Sequence, residues 1–221
     1  MIMETTIKVT GKGSVHIVPD VTQVDITIDR IYDDYAEAYA KAKHNTEWIA
    51  KVLEYNKMNP KLAKTLKMDI SEHTHAKYDS NNHFIGYVVD GYALDQRVRI
   101  DMEKNNVLLN NLVKGFGKFI EGAEIHIGYT VKDMRPYQLK MIERAVKDAR
   151  EKATIMLSAL GCDLGDLVNI EYGNHFMTVF HEARTYNCAQ DCKASTPESL
   201  DITPEDLVSS EEVEVVWEID N

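Results

Sequence analysis

The stretch Ile7-Lys-Val-Thr-Gly-Lys-Gly-Ser-Val-His-Ile-Val-Pro19-Asp20-Val-Thr-Gln-Val-Asp-Ile-Thr-Ile28 decides the architecture, because it places two extended segments before any helix. Val24, Ile26 and Ile28 share one face and Asp25, Thr27 and Asp29 the other, the period-two pattern of a strand with one face in a core and one in water. Gly11 and Gly13 tolerate unusual backbone angles and Pro19 lacks an N–H. A Gly-rich break, with a bend or bulge between the two extended stretches, is therefore expected. A phosphate-cradling loop would need a helix N-terminus directly after the glycines. More strand follows Gly13, so these residues are read as structural.

Working outward, Tyr35, Ala38, Tyr39, Ala42, Ile49, Val52 and Leu53 recur at helical spacing, with Asp33 and Asp34 placed to cap the start. Asn59-Pro60 disfavours its continuation. Residues 65–78 and 85–100 look extended around the turn-prone Asp79-Ser-Asn-Asn82, which predicts a hairpin whose second arm turns Val98 and Ile100 inward and Arg97 and Arg99 outward. A shorter helix is predicted near residues 104–116, presenting Leu108, Leu109, Leu112, Val113 and Phe116, with Gly115 and Gly117 suiting its exit. Ile125 and Ile127 begin another strand.

The cleanest helical periodicity is Leu139, Ile142, Val146, Ala149, Ala153, Met156 and Leu160, expected to form the buried stripe of a long helix packed on a sheet. Asp133 is expected to cap it, Pro136 to sit in its first turn and Gly161 to occupy a left-handed position beyond its end. A strand near residues 167–172 and a terminal strand with Val213, Val215, Trp217 and Ile219 on one face complete the pattern. Between them, residues 174–210 read as a long loop or lid whose first part, 176–180, extends a strand.

With 221 residues, 44% of them hydrophobic, the chain can hold a core without disulfides or metals, and a single domain over residues 1–221, or two intimately packed halves, is expected. Its formal net charge of −11 opposes nucleic-acid phosphates, and no basic patch is segregated in the sequence. Lys51, Lys57, Lys61, Lys64 and Lys67 are interleaved with apolar residues and read as a solvated face. No apolar run is long enough for a transmembrane helix. The opening Met-Ile-Met-Glu-Thr-Thr has neither a basic n-region nor a long apolar h-region, so these residues read as those of a chain that is not exported.

Reactive constellations are sparse. His73-Thr-His75 puts two imidazoles on one strand face, a spacing able to chelate a transition metal; His83 lies across the predicted turn, but with the hairpin closing at Asn81-Asn82 His75 faces a residue near Gly86 instead, so a third ligand would have to come from elsewhere. His175, His181, Cys188 and Cys192 supply zinc-type ligands, but Cys-x-x-x-Cys departs from the usual knuckle, leaving incidental thiols or a reversible disulfide as readings beside zinc. Cys162, after Gly161, reads as a packed small hydrophobe. No nucleophile elbow or His-Glu-x-x-His helix is present. No catalytic, cofactor-binding or metal-ligating residue is assigned, and no cofactor is expected. An assembled hydrolase triad is retained as a remote alternative, since such sites form in space rather than in sequence.

The order of several strings resembles the SIMPL family, also called DUF541. They are Val9-Thr-Gly-Lys-Gly13, Val18-Pro-Asp20, Gly86-Tyr87, Ala145-Val-Lys-Asp-Ala-Arg-Glu-Lys-Ala153, Leu160-Gly161 and Glu214-Val-Val-Trp-Glu-Ile219. The resemblance implies an α+β fold in which amphipathic helices cover a largely antiparallel sheet. It also implies a protein without established enzymatic activity. Similar bacterial proteins are typically exported to the periplasm or cell envelope, form ring-like or channel-like homo-oligomers and are linked to oxidative-stress tolerance; mammalian relatives act as adaptors for a signalling kinase.

A full core pattern without a reactive constellation points to a non-enzymatic, self-associating module with a possible protein partner. Sheet edges left by the terminal strands, with Tyr87, Tyr92 and Tyr129, are the expected association surfaces. The rival reading is a metal- or redox-responsive protein using His73 and His75, or Cys188 and Cys192.

Overall fold

A computed structural model describes residues 5–173, 181–187 and 206–220, with only the backbone described over 181–187. In chain order the elements are β1 (Thr6–Ile17), β2 (Val21–Tyr32), α1 (Tyr35–Tyr55), a single 3₁₀ turn (Pro60–Leu62), β3 (Ala63–Tyr78), β4 (Phe84–Glu103), α2 (Asn106–Phe119), β5 (Glu124–Thr130), α3 (Arg135–Leu160), β6 (Asp163–Tyr172), β7 (His181–Asn187) and β8 (Leu207–Asp220). The strands form two sheets, ordered β1-β8-β6 and β3-β4-β2-β5-β7. All their pairings are antiparallel. With three helices beside them, the chain has the expected α+β fold.

These elements fall into two compact units. One comprises the described parts of Asp20–Thr130 and Phe180–Pro204, the other those of Met1–Pro19, Val131–Val179 and Glu205–Asn221. In the first, the inward faces of β2 (Val24, Ile26, Ile28), β4 (Leu94, Val98, Ile100) and β5 (Ile125, Ile127) are buried beneath α1 and α2 in one hydrophobic cluster. Alternation in β2 and β4 therefore reads out as expected, and Arg99 on the opposite face forks onto Asp25, its cross-strand neighbour, at 2.7 and 2.8 Å. Asp34 caps α1 by accepting the Glu37 N–H at 2.7 Å. Under α1, the buried Gln96 accepts from Asn45 and donates to Thr46 and the Ala42 carbonyl, so the polar groups enclosed there are partnered.

α2 runs on to Phe119 rather than ending at its glycines. Gly115 lies inside the helix because a Cβ there would sit 2.7 Å from the Val52 side chain of α1.

In the second unit, α3 lies on β1 and β8. Its buried face is Met141, Ala145, Ala149, Ala153 and Leu157; of the stripe read from periodicity, Ala149 and Ala153 lie on that face and Val146 packs against it from its margin. Leu139, Met156 and Leu160 are exposed, the last at 77%. Gly11 and Gly13 supply the reason. They do not break the chain; β1 continues through both, and the interruption falls at residues 18–20. A Cβ on Gly11 would overlap the Ala145 carbonyl and the Ala149 nitrogen, and one on Gly13 the Met141 carbonyl. The helix backbone rests on a strand stripped of side chains, and at that separation alanine fits where leucine does not.

Gly161 ends α3 in the left-handed conformation at φ 75°, as expected. Asp133 accepts the Arg135 N–H at 2.9 Å, while the capping position itself is Met134.

Two expectations about the strands change. The expected loop over 174–210 contains β7, paired with β5, and the terminal strand begins at Leu207. Of the two terminal strands expected to leave sheet edges, β8 is the middle of its sheet, while β1 is at an edge of it.

Replacing Gly11 or Gly13 with alanine is expected to cost about 3 kcal/mol or more, because backbone rather than a flexible side chain must move. Urea denaturation checks this, and a loss within about 0.5 kcal/mol at Gly11 would contradict the packing described.

Candidate functional site: the projecting β3–β4 ribbon

β4 pairs with β2 only from Tyr92 to Glu103, whereas its pairing with β3 continues outward to Phe84. Residues 73–91 of the hairpin thus form a two-stranded ribbon beyond the edge of the five-stranded sheet. Gly91 marks the point of departure: a Cβ there would meet the Tyr32 carbonyl oxygen at 2.7 Å. The ribbon closes as the sequence predicts. Asp79 accepts N–H groups from Asn81 and His83, both at 2.8 Å, and Asn82 takes the left-handed conformation at φ 64°.

Among the described residues no second layer lies over the ribbon, and its apolar side chains are exposed. Phe84, Ile85, Tyr87, Val88 and Val89 are all exposed, Tyr87 at 73%. Phe84 packs edge-on against Tyr78 and Tyr87, so the rings make one aromatic cluster on a surface element. The other two tyrosines named as association residues sit differently. Tyr129 is 1% exposed and belongs to the core, while Tyr92 is half-buried against Tyr35. Periodicity could not separate the three, because exposure depends on which part of a strand has a neighbour.

At the root of the ribbon the register slips between His73 and Thr74: His73 faces Gly91 and Thr74 faces Val89, which leaves Asp90 as the extra residue of a β-bulge. The bulge brings its carboxylate between both histidines of His73-Thr-His75. One oxygen lies 2.6 Å from His73 Nδ1 and the other 2.8 Å from His75 Nδ1. His83 is engaged instead by Asp79, at 3.3 Å. The structure thus joins His73 and His75 as their spacing suggested, with a carboxylate partner that sequence distance concealed. The only advance signal was an acid directly before Gly91 in a long strand.

Among the described residues, no three His, Cys, Asp or Glu side chains are grouped so as to hold a metal ion. Cys162 is half-buried, with its Sγ 4.0 Å from the Leu160 carbonyl oxygen. Cys188, Cys192 and His175 lie outside the described residues, and of His181 only the backbone is described. No helix among the described residues is long and apolar enough to cross a membrane.

A family model described as SIMPL: Protein of unknown function (DUF541) matches residues 7–217. The chain belongs to the SIMPL family. No curated protein matches it.

In this SIMPL chain the cluster has a definite electrostatic consequence. Hydrogen bonds from His73 first, and then His75, hold the Asp90 carboxyl below its ordinary value of 3.8, against a weaker opposing effect of desolvation. A carboxyl lowered in the native state stabilises it fully above that ordinary value, and the contribution disappears as pH falls through the lowered one. The Asp90 carboxyl carbon, followed by NMR, is expected to titrate below 3.8 and to move back toward it in a His73→Ala, His75→Ala double variant. An unchanged titration would show that the imidazoles do not hold the charge.

Proposed function

We propose that residues 1–221 act as one non-enzymatic SIMPL-like module that associates with further copies of itself through the β3–β4 ribbon. The observation that carries this reading is the aromatic cluster of Tyr78, Phe84 and Tyr87, with Ile85 and Val88 also exposed, on a hairpin over which no second layer lies among the described residues. An isolated two-stranded hairpin is marginal in water, and contiguous apolar surface of this kind marks an interaction site. A second copy would bury the cluster, and β3, the outer strand of its sheet, offers backbone groups for strand addition. The cell-envelope and oxidative-stress settings implied by the family resemblance are the proposed context.

Sedimentation of the untagged protein at tens of micromolar is expected to show an oligomer. Phe84→Lys combined with Tyr87→Lys should weaken association by about 100-fold or more while leaving thermal unfolding of the dissociated chain cooperative. A strictly monomeric wild type would overturn the proposal, as would a double variant of unchanged mass.

Asp90 favours a second reading. By taking Nδ1 of both rings it leaves Nε2 of each as the nitrogen for a metal, in the manner of a carboxylate that orients metal-binding imidazoles. Two imidazoles supply only half of a tetrahedral shell, so binding should be weak and completed by water. Calorimetric titration with zinc chloride is expected to give a site of about micromolar or lower affinity that His75→Ala abolishes. No heat with the wild type would eliminate it.

A further inference from the structure

α1 and α2 enclose a cleft of about 660 Å³. Its floor exists because Gly115 lets the helices approach: the Val52 side chain fills the space a Cβ would take. On one wall Trp48 of α1 and Phe119 of α2 stack face to face, with centroids 4.2 Å apart and planes within 4° of parallel. Lys51 Nζ lies 4.7 Å from the Trp48 centroid and Lys118 Nζ 5.1 Å from that of Phe119. Rings this close admit no ammonium between them, so the lysines occupy the two outer faces and the order is Lys51, Trp48, Phe119, Lys118.

A third lysine, Lys114, also lines the cleft, and among the described residues no Asp or Glu does. Lysine ion pairs among the described residues form elsewhere, at Lys8, Lys12, Lys43, Lys67, Lys147 and Lys152. In a chain of net charge −11, an apolar recess lined by three lysines and, among the described residues, by no carboxylate is a local reversal of sign. Sequence reading assigned Lys51 to a solvated face because its companions lie on another helix, more than sixty residues away.

We propose that the α1–α2 cleft is a binding site for a small amphiphilic organic anion, a carboxylate or sulfonate carried on an apolar body. Its volume lies within the range of small-molecule sites, which pair a mainly apolar lining with a few placed polar groups. Charge complementarity selects the anion. The apolar body meets Val52, Gly115 and the edges of the stacked rings. Both faces of the stack are already covered, so the cleft offers no slot between rings for a nucleobase. This site shares no residue with the ribbon, so its test and that of self-association fail separately.

The probe is 8-anilinonaphthalene-1-sulfonate, titrated into the full chain by fluorescence, with its uncharged analogue N-phenyl-1-naphthylamine as comparison. Saturable binding is expected at one site per chain. Lys114→Glu with Lys118→Glu should weaken it by about tenfold or more, and about 0.5 M NaCl should also weaken it. Both lysines are exposed, so the fold should survive, which circular dichroism checks. Lys43→Glu, on the same α1 helix but outside the cleft, should leave the affinity unchanged. Equal affinity of the double variant and wild type would overturn the proposal, because the probe would then be reading exposed apolar surface such as the ribbon. Equally tight binding of the uncharged analogue would overturn the requirement for an anion.

Discussion

β2 is twelve residues long and β4 is twenty, and the rest of the molecule's surface character depends on that mismatch. Sheet hydrogen bonding needs a neighbour, and burial needs a layer above. β4 has both from Tyr92 inward; beyond it, among the described residues, β3 is its one neighbouring strand and no layer lies above. Over residues 92–103 the alternating pattern sends Leu94, Val98 and Ile100 into the core. Outside that span the same strand carries side chains just as apolar, and none of the described residues covers them. The Asp90 bulge sits at the junction, where one extra residue turns a carboxylate onto the two imidazoles of the neighbouring strand.

A different constraint organises the β1-β8-β6 unit. Two glycines remove the side-chain layer from part of β1, and a helix with alanine at every fourth position settles onto the exposed backbone. Arg144 reinforces the contact by donating to the Ser14 carbonyl, and the Lys12 N–H donates to Asp148 at 2.7 Å. Close approach replaces large-residue packing here. One consequence is that α3 spends its larger apolar residues, such as Leu139 and Leu160, on its outer side.

The ribbon, the histidine–carboxylate cluster and the α1–α2 cleft share one physical feature: each is a place where groups ordinarily covered or paired within a chain are left for something else. On the ribbon these are apolar side chains. In the cleft they are ammonium groups beside an apolar recess.

Local chemistry is what the sequence by itself determined. It set the alternation of β2, β4 and β8, the Asp34 cap, the Asp79 turn and the Gly161 terminus, because each depends on side-chain spacing or on a backbone preference of the residue concerned. Even the pairing of His73 with His75 was legible from period two. Proximity across the chain was decided only by the tertiary structure. Gly11 and Gly13 look like a break until a helix is seen lying on them, and Leu139, Met156 and Leu160 look buried until that helix is found to rest on β1 chiefly through its alanines. Asp90 joins the histidines through a register slip, and Lys51 meets Lys114 and Lys118 through helix packing. The physical reason is the same in each case: spacing along a chain dictates which side chains share a face, whereas the length of a neighbouring strand and the depth of a neighbouring helix dictate what that face meets.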